Sequence, residues 1–179
     1  KNDQIIMSME SEGGLSKVAL EDLPSAGLAD GVISYNGIGE FSVLDLQKVL
    51  TGKNVSVSPG ISEYSESMSG TSTVKDFETM MQLAYLYFTA PRQDDQAYQT
   101  LISMLETQLA ARDKNPKNAF GDSIQQTITC HNPRTLIVNT DLIKRANQQR
   151  AIEIYKERFA NPADFFVTFI GNINPNDEA

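Results

Sequence analysis

Between Val55 and Arg92 the hydrophobic period of the chain changes from two residues to between three and four, and that change constrains the fold more than any other feature. Val55 and Val57 share one face of an extended segment. After Pro59-Gly60 a second polar run, Ile61 to Ser69, carries Tyr64 and Met68 on one face, so the pair reads as a serine-rich hairpin with one wet face. From Val74 onward, Val74, Phe77, Met81, Ala84 and Phe88 recur at helical spacing, widened by Met80, Leu83 and Tyr87. Ser72 or Thr73 is placed to cap this helix. Pro91 stops it, because proline has no N–H to continue the ladder. A half-wet hairpin beside a core helix calls for a sheet covered by helices, an α+β arrangement.

The other periodicities extend that arrangement. Ile5, Met7 and Met9 alternate with Ile6, Ser8 and Glu10, as in a strand with one face on helices. Leu23 to Tyr35 reads as a first helix with Ala26, Ala29 and Ile33 on one side, weakened by Gly27 and Gly31. Ser42 is an N-cap with Asp45 three residues on, Phe41 is set to staple onto Leu46, and Gly52 closes that helix. Between Asp94 and Ala111 the stripe is Tyr98, Leu101, Leu105 and Leu109; Asn115-Pro116 then opens a helix through Phe120, Ile124 and Ile128. A last helix is expected from Asp141 to Phe159. The final strand, Asp164 to Ile170, is apolar on both faces and is expected well inside the sheet.

With 179 residues and 40% hydrophobic composition the chain can bury one sizeable core, and a single domain is the economical count. A net charge of −8 without clustered Lys and Arg argues against nucleic acid and anionic membrane as partners and leaves peptides and proteins open. No apolar run approaches the ~20 residues of a membrane helix. The one cysteine excludes an internal disulfide.

The order of segments carries a resemblance. A small-residue helix runs into Asn36-Gly37; a short helix, a serine-rich hairpin and a helix closing at Ala90-Pro91-Arg92 follow. From about Ile5 to Asn172 this order resembles the half-domains of the pitrilysin/insulinase family of zinc metallopeptidases, in particular the long bacterial members and the mitochondrial processing peptidases. The resemblance implies an antiparallel-rich mixed sheet with helices packed on one face. It implies that the family's opening strand is missing before Gln4, and that Asn174-Pro175 begins a linker. Residues 1–179 are then one internal domain, the third of four in a two-lobed chain. An edge left open by the missing strand could pair with a second copy.

In the catalytic half-domain of that family the first helix carries His-x-x-Glu-His. Laid on Leu28 to Gly37, the pattern puts Leu28 and Val32 at the histidines and Gly31 at the glutamate. None of the three can hold zinc or activate water. The domain is therefore expected not to hydrolyse peptides alone and to hold no cofactor, with zinc in the catalytic domain of the parent. Glu106 falls near the family's third ligand and reads as a solvated helix charge. Cys130 and His131, adjacent, point in different directions and make a poor chelating pair.

Other catalytic templates do not assemble. A nucleophilic serine among Ser56 to Ser72 needs a base, and His131 is the only histidine. The chain has no G-x-S-x-G elbow and no phosphate loop, and Gly37-Ile38-Gly39 reads as a loop between helices. The resemblance implies a non-catalytic lobe that shapes a closed chamber and binds peptide or protein substrate, together with the other domains of the parent. The hairpin residues Ile61, Glu63, Ser65, Ser67 and Ser69 are the candidate substrate surface, with a wet outer face as the plainer reading. The family's substrate Arg and Tyr come from its fourth domain, so Arg92 and Tyr85 are not given that role. The rival readings are a peptide-binding or scaffold protein derived from an inactive peptidase and, more remotely, a stand-alone hydrolase using His131. The resemblance to long bacterial members implies the periplasm or cell envelope of a bacterium.

Overall fold

The computed structural model describes residues 3–173, so Asn174-Pro175 lies outside the described residues. Four strands form one sheet in the order β2-β3-β1-β4: β1 (Ile5–Glu12), β2 (Val55–Ile61), β3 (Ser65–Ser72) and β4 (Phe166–Gly171). All three pairings are antiparallel. The expected α+β fold is present, with helices covering one face.

Period-2 alternation selects that face. In β1, Ile5, Met7 and Met9 are buried while Ile6, Ser8 and Glu10 are exposed. Across the ladder Met7 meets Gly70 and Phe169, and Met9 meets Met68 and Val167. Against this side pack α2 (Ala29–Asn36), α4 (Phe77–Thr89), α5 (Asp95–Asp113) and α8 (Gln148–Arg158), whose Val32, Met80, Leu101, Ile152 and Tyr155 join one core. Phe88, Phe159 and Phe165 close its end, with Phe88 edge-on to both others at 5.8 and 5.2 Å.

Several expectations need correction. The Leu23–Tyr35 helix is broken into α1 (Leu23–Ala26) and α2 by the turn at Gly27-Leu28. The Asp141–Phe159 helix is likewise two, α7 (Thr140–Arg145) and α8. Asn147 accepts a hydrogen bond from the Arg150 amide at 2.9 Å and starts a new N-terminus. The hairpin does not turn at Pro59-Gly60. Those residues lie within β2, an edge strand where a missing N–H is tolerated, and the reversal is at Ser62 to Ser65, where the Ser62 amide donates to the Ser65 carbonyl at 2.8 Å. Tyr64 therefore sits exposed in the turn, whereas Met68 is fully buried. Finally, β4 is an edge strand rather than an interior one, and its Phe166 is 78% exposed.

Cap chemistry follows the sequence at α3 (Val43–Val49), where Ser42 accepts from the Asp45 amide at 3.2 Å; at α5 the structure adds a cap, with Asp94 accepting from the Gln96 and Ala97 amides. At α4 it differs. Thr73 closes the preceding turn by bonding Asp76, and the helix begins at Phe77, which leaves Val74 outside it and turns Met81 toward solvent. The segment α6 (Pro116–Ile128) starts as expected, with Asn115 accepting from Lys117.

Two glycines near one another in sequence make opposite demands. Gly37 has φ 84°, and a Cβ there would lie 2.2 Å from the Phe41 carbonyl oxygen; a Cβ on Gly31, inside α2, would meet nothing within 4 Å. Gly31→Ala should therefore raise the unfolding free energy by about 0.5–1 kcal/mol through helix propensity and unfolded-chain entropy. Gly37→Ala should lower it by more than about 2 kcal/mol through strain and overlap. Urea midpoints of the two variants check both signs.

Candidate functional site

The helix that would carry a zinc motif is α2, and its side chains are spent on packing. Leu28 and Val32 are buried in the main core, among the residues that also include Ala29 and Ile33. Gly31 faces open space. The arrangement offers no donor atom at the three motif positions, so these residues do not fit a zinc ion. Among the described residues no group of three or more His, Cys, Asp or Glu side chains is placed to hold a metal. Glu106 lies exposed on α5.

Beside Gly31, Asp30 is a partly buried carboxylic acid. Burial pushes its carboxyl above the ordinary range and outweighs the lowering effect of nearby backbone amides, among them the Gly31 amide, which donates to it at 2.8 Å. The Tyr155 phenol nearby donates to the Tyr87 carbonyl at 3.2 Å and is pushed up by burial, with further upward contributions from Tyr87 and Asp30. This cluster ties α2 to α8 and to the hairpin. It contains no nucleophile paired with a base.

The segments that carry the family resemblance meet in space. Asn36, buried, donates through Nδ2 to the Arg92 carbonyl at 3.1 Å; the Gly39 amide donates to the Ala90 carbonyl at 2.7 Å; Ile38 bridges to Pro91. Arg92 reaches back to the Glu40 carbonyl at 3.0 Å and pairs with Asp94 at 3.1 Å. Its guanidinium thus has a structural task at the start of α5, while Tyr85 is exposed on α4.

The hairpin residues singled out from sequence do not share one surface. Register places Ser65, Ser67 and Ser69 on the face away from the helices, where Ser58, Ser69, Ser8 and Thr168 stand in one row across all four strands. The Ser56 and Thr71 hydroxyls on that face are 2.9 Å apart. Ile61 pairs with Glu66 and packs on the core side. Glu63 lies in the turn, where its carboxylate beside the Tyr64 hydroxyl holds the phenol above its ordinary pKa. Moving the reversal from Pro59-Gly60 to Ser62–Ser65 accounts for the separation of Ile61.

Sequence reading passed over Glu66. It is buried on the core side, 3.5 Å from Arg158 of α8, with Oε2 lacking a partner among the described residues. A charged residue in a serine-rich run reads as solvated, and only the correct register shows that it alternates with Met68 and Gly70 on the inner face. Cys130 and His131 are exposed after α6, both at φ 53°, and no described hydrogen bond joins the His131 ring to a serine.

No protein-family model matches the chain. It is 23% identical over 145 residues to a zinc protease PQQL-like protein of Arabidopsis thaliana, covering 79% of this chain and 15% of that one. It is also 23% identical over 168 residues to the probable zinc protease PqqL of Escherichia coli K12, covering 94% and 18%. The crystal structure of the periplasmic protease PqqL from Escherichia coli contains a segment that superposes with a TM-score of 0.79 at 19% identity, over 99% of this chain and 19% of that one. The fold is that of a pitrilysin/insulinase-type peptidase half-domain. The resemblance read from Asn36-Gly37, the serine-rich hairpin and Ala90-Pro91-Arg92 is borne out, and the chain spans less than a fifth of the curated relatives it matches. Among the described residues no helix is long and apolar enough to cross a membrane.

Asp30 gives a pH-dependent prediction. Because its folded pKa is raised, the folded state binds the proton more tightly, and the charged carboxylate opposes folding increasingly as pH rises through the folded value. Asp30→Asn should therefore melt at a higher temperature than the parent sequence at pH 7. The gap should close as pH falls below 3.8, the ordinary aspartate value that the unfolded chain restores; melting curves from pH 7 to pH 3 test the sign.

Proposed function

We propose that this chain is a non-catalytic lobe of a longer zinc-dependent peptidase, helping to form a closed chamber and to bind peptide or protein substrate. The observation that carries this reading is the filling of the three zinc-motif positions, at the N-cap of α2 and within it, by Leu28, Gly31 and Val32, two of them sealed into the core. A helix whose ligand positions pack the interior supports a fold retained for shape rather than for chemistry. The zinc belongs on this reading to a different domain of the parent, of which this chain is an internal unit, the third of four. The periplasm or cell envelope is the compartment, in keeping with the periplasmic protease it resembles.

Substrate contact is assigned to the outer sheet face through Ser65, Ser67 and Ser69. Small hydroxyl side chains leave room for an extended peptide and offer it hydrogen bonds. Glu63 borders this face from the turn, and Ile61 supports it from beneath. Strand addition is assigned to β4, whose outer edge is unpaired among the described residues. A further strand of the parent or a second copy would lie there.

The test is hydrolysis of a quenched fluorescent peptide by the full parent and by the parent lacking this segment, with and without a zinc chelator. Chelator-sensitive cleavage that disappears on deletion and returns when the segment is added in trans is the expected result. A folded parent that never cleaves would instead favour a peptide-binding or scaffold role. His131→Ala in the parent should leave turnover unchanged; loss of turnover with the fold intact would point to hydrolysis through His131.

A further inference from the structure

The helix α6 turns its apolar side away from its own domain. Phe120, Ile124 and Ile128, spaced four apart, stack along one face and are 68%, 44% and 68% exposed. The polar side does the packing. Arg112 of α5 binds Asp122 through Nη1 at 3.0 Å, and Asn118 donates to the Arg112 carbonyl at 3.0 Å. None of the 13 residues of α6 is buried.

That orientation is the reverse of the ordinary one. A surface helix buries its apolar stripe on the core beneath it, and a helix of this length is marginal in water by itself. The chain leaves α6 through Cys130 and His131, both at φ 53°, a left-handed cap closed by the His131 amide on the Gln126 carbonyl at 2.8 Å.

We propose that Phe120, Ile124 and Ile128 dock α6 onto an apolar surface of another domain in the same longer polypeptide. The inference rests on the reading of this chain as one lobe of a longer peptidase. Two observations choose this occupant over a separate molecule. The relatives extend far beyond this chain, which covers 15% and 18% of their lengths, so covalently attached surface is abundant. The patch is three side chains, well short of the ~800 Å² per partner that a stable association between free molecules buries. Within one polypeptide the high effective concentration of the neighbour makes so small a contact sufficient. Charge argues against a lipid surface, since the chain carries −8 overall and α6 has a single basic residue, Lys117.

The experiment is maleimide labelling of the full-length parent carrying Cys130→Ser with either Ile124→Cys, on the stripe, or Ala119→Cys, exposed and off it, followed by mass spectrometry of the α6 peptide. Both positions are exposed in this domain, so neither change disturbs its core. The expected result is labelling of Ile124→Cys at least about tenfold slower than of Ala119→Cys, independent of protein concentration and of lipid. Equal rates would overturn the proposal. So would protection that is lost on dilution, which would assign the stripe to a second molecule, or protection that appears only with phosphatidylethanolamine/phosphatidylglycerol vesicles, which would assign it to a membrane. Peptide cleavage by the same samples reports on the peptidase reading separately: protection without cleavage keeps the docking and removes the peptidase role, and cleavage without protection does the reverse.

Discussion

The sheet and the helical layer meet through a side chain that is absent. Gly70 lies at the centre of β3, opposite Met7 of β1, and a Cβ there would stand 2.9 Å from the Met7 methyl and 3.0 Å from the Met80 sulfur of α4. Because that space is empty, two flexible methionine side chains close over the strand, and α4 settles near the sheet. Met68, Met7 and Met80 are all fully buried around this point. Dense packing then passes outward to α2, α5 and α8, since a core without voids fixes each helix by those already placed.

The same packing explains why a peptidase fold persists here without peptidase chemistry at the motif positions. Hydrogen bonds from the Asn36 side chain, the Gly39 amide and the Arg92 guanidinium hold the end of α2 to the start of α5 whatever side chains lie at Leu28, Gly31 and Val32. Apolar residues at two of those positions add to the core, where a histidine without a metal would be a polar group in need of partners. Asp30 shows what such burial does to an ionisable group on that helix: its charge is disfavoured despite the hydrogen bond it accepts from the Gly31 amide.

The two surfaces left open differ in chemistry. The outer sheet face is mostly hydroxyl on β2 and β3 and apolar toward β4, where Ile6, Ile170 and Phe166 are exposed. The two edges differ as well. In β2 a proline and a glycine sit in mid-strand, a composition that discourages further pairing, whereas β4 presents Phe-Val-Thr-Phe-Ile with no proline or charge. Together with the outward stripe of α6, these features describe a domain with several faces suited to neighbours.

Sequence by itself determined the layer class, the buried alternation of Ile5, Met7 and Met9, the cap at Ser42 and the helix start at Asn115, the family resemblance and the absence of zinc ligands at Leu28, Gly31 and Val32. All but the resemblance depend on spacing within a few residues or on the identity of a single side chain, both of which are local, and the resemblance depends on the order in which such local signals follow one another along the chain. The tertiary structure alone decided where the hairpin reverses, that β4 is an edge, that Glu66 is internal and that Ile61 faces away from Ser65, Ser67 and Ser69. It also decided that the stripe of α6 points outward although its spacing matches that of core helices. Periodicity states that a helix or strand has two unlike sides, but which side is covered depends on strand order and on residues distant in the chain, and a one-residue change of register exchanges the two faces of a strand.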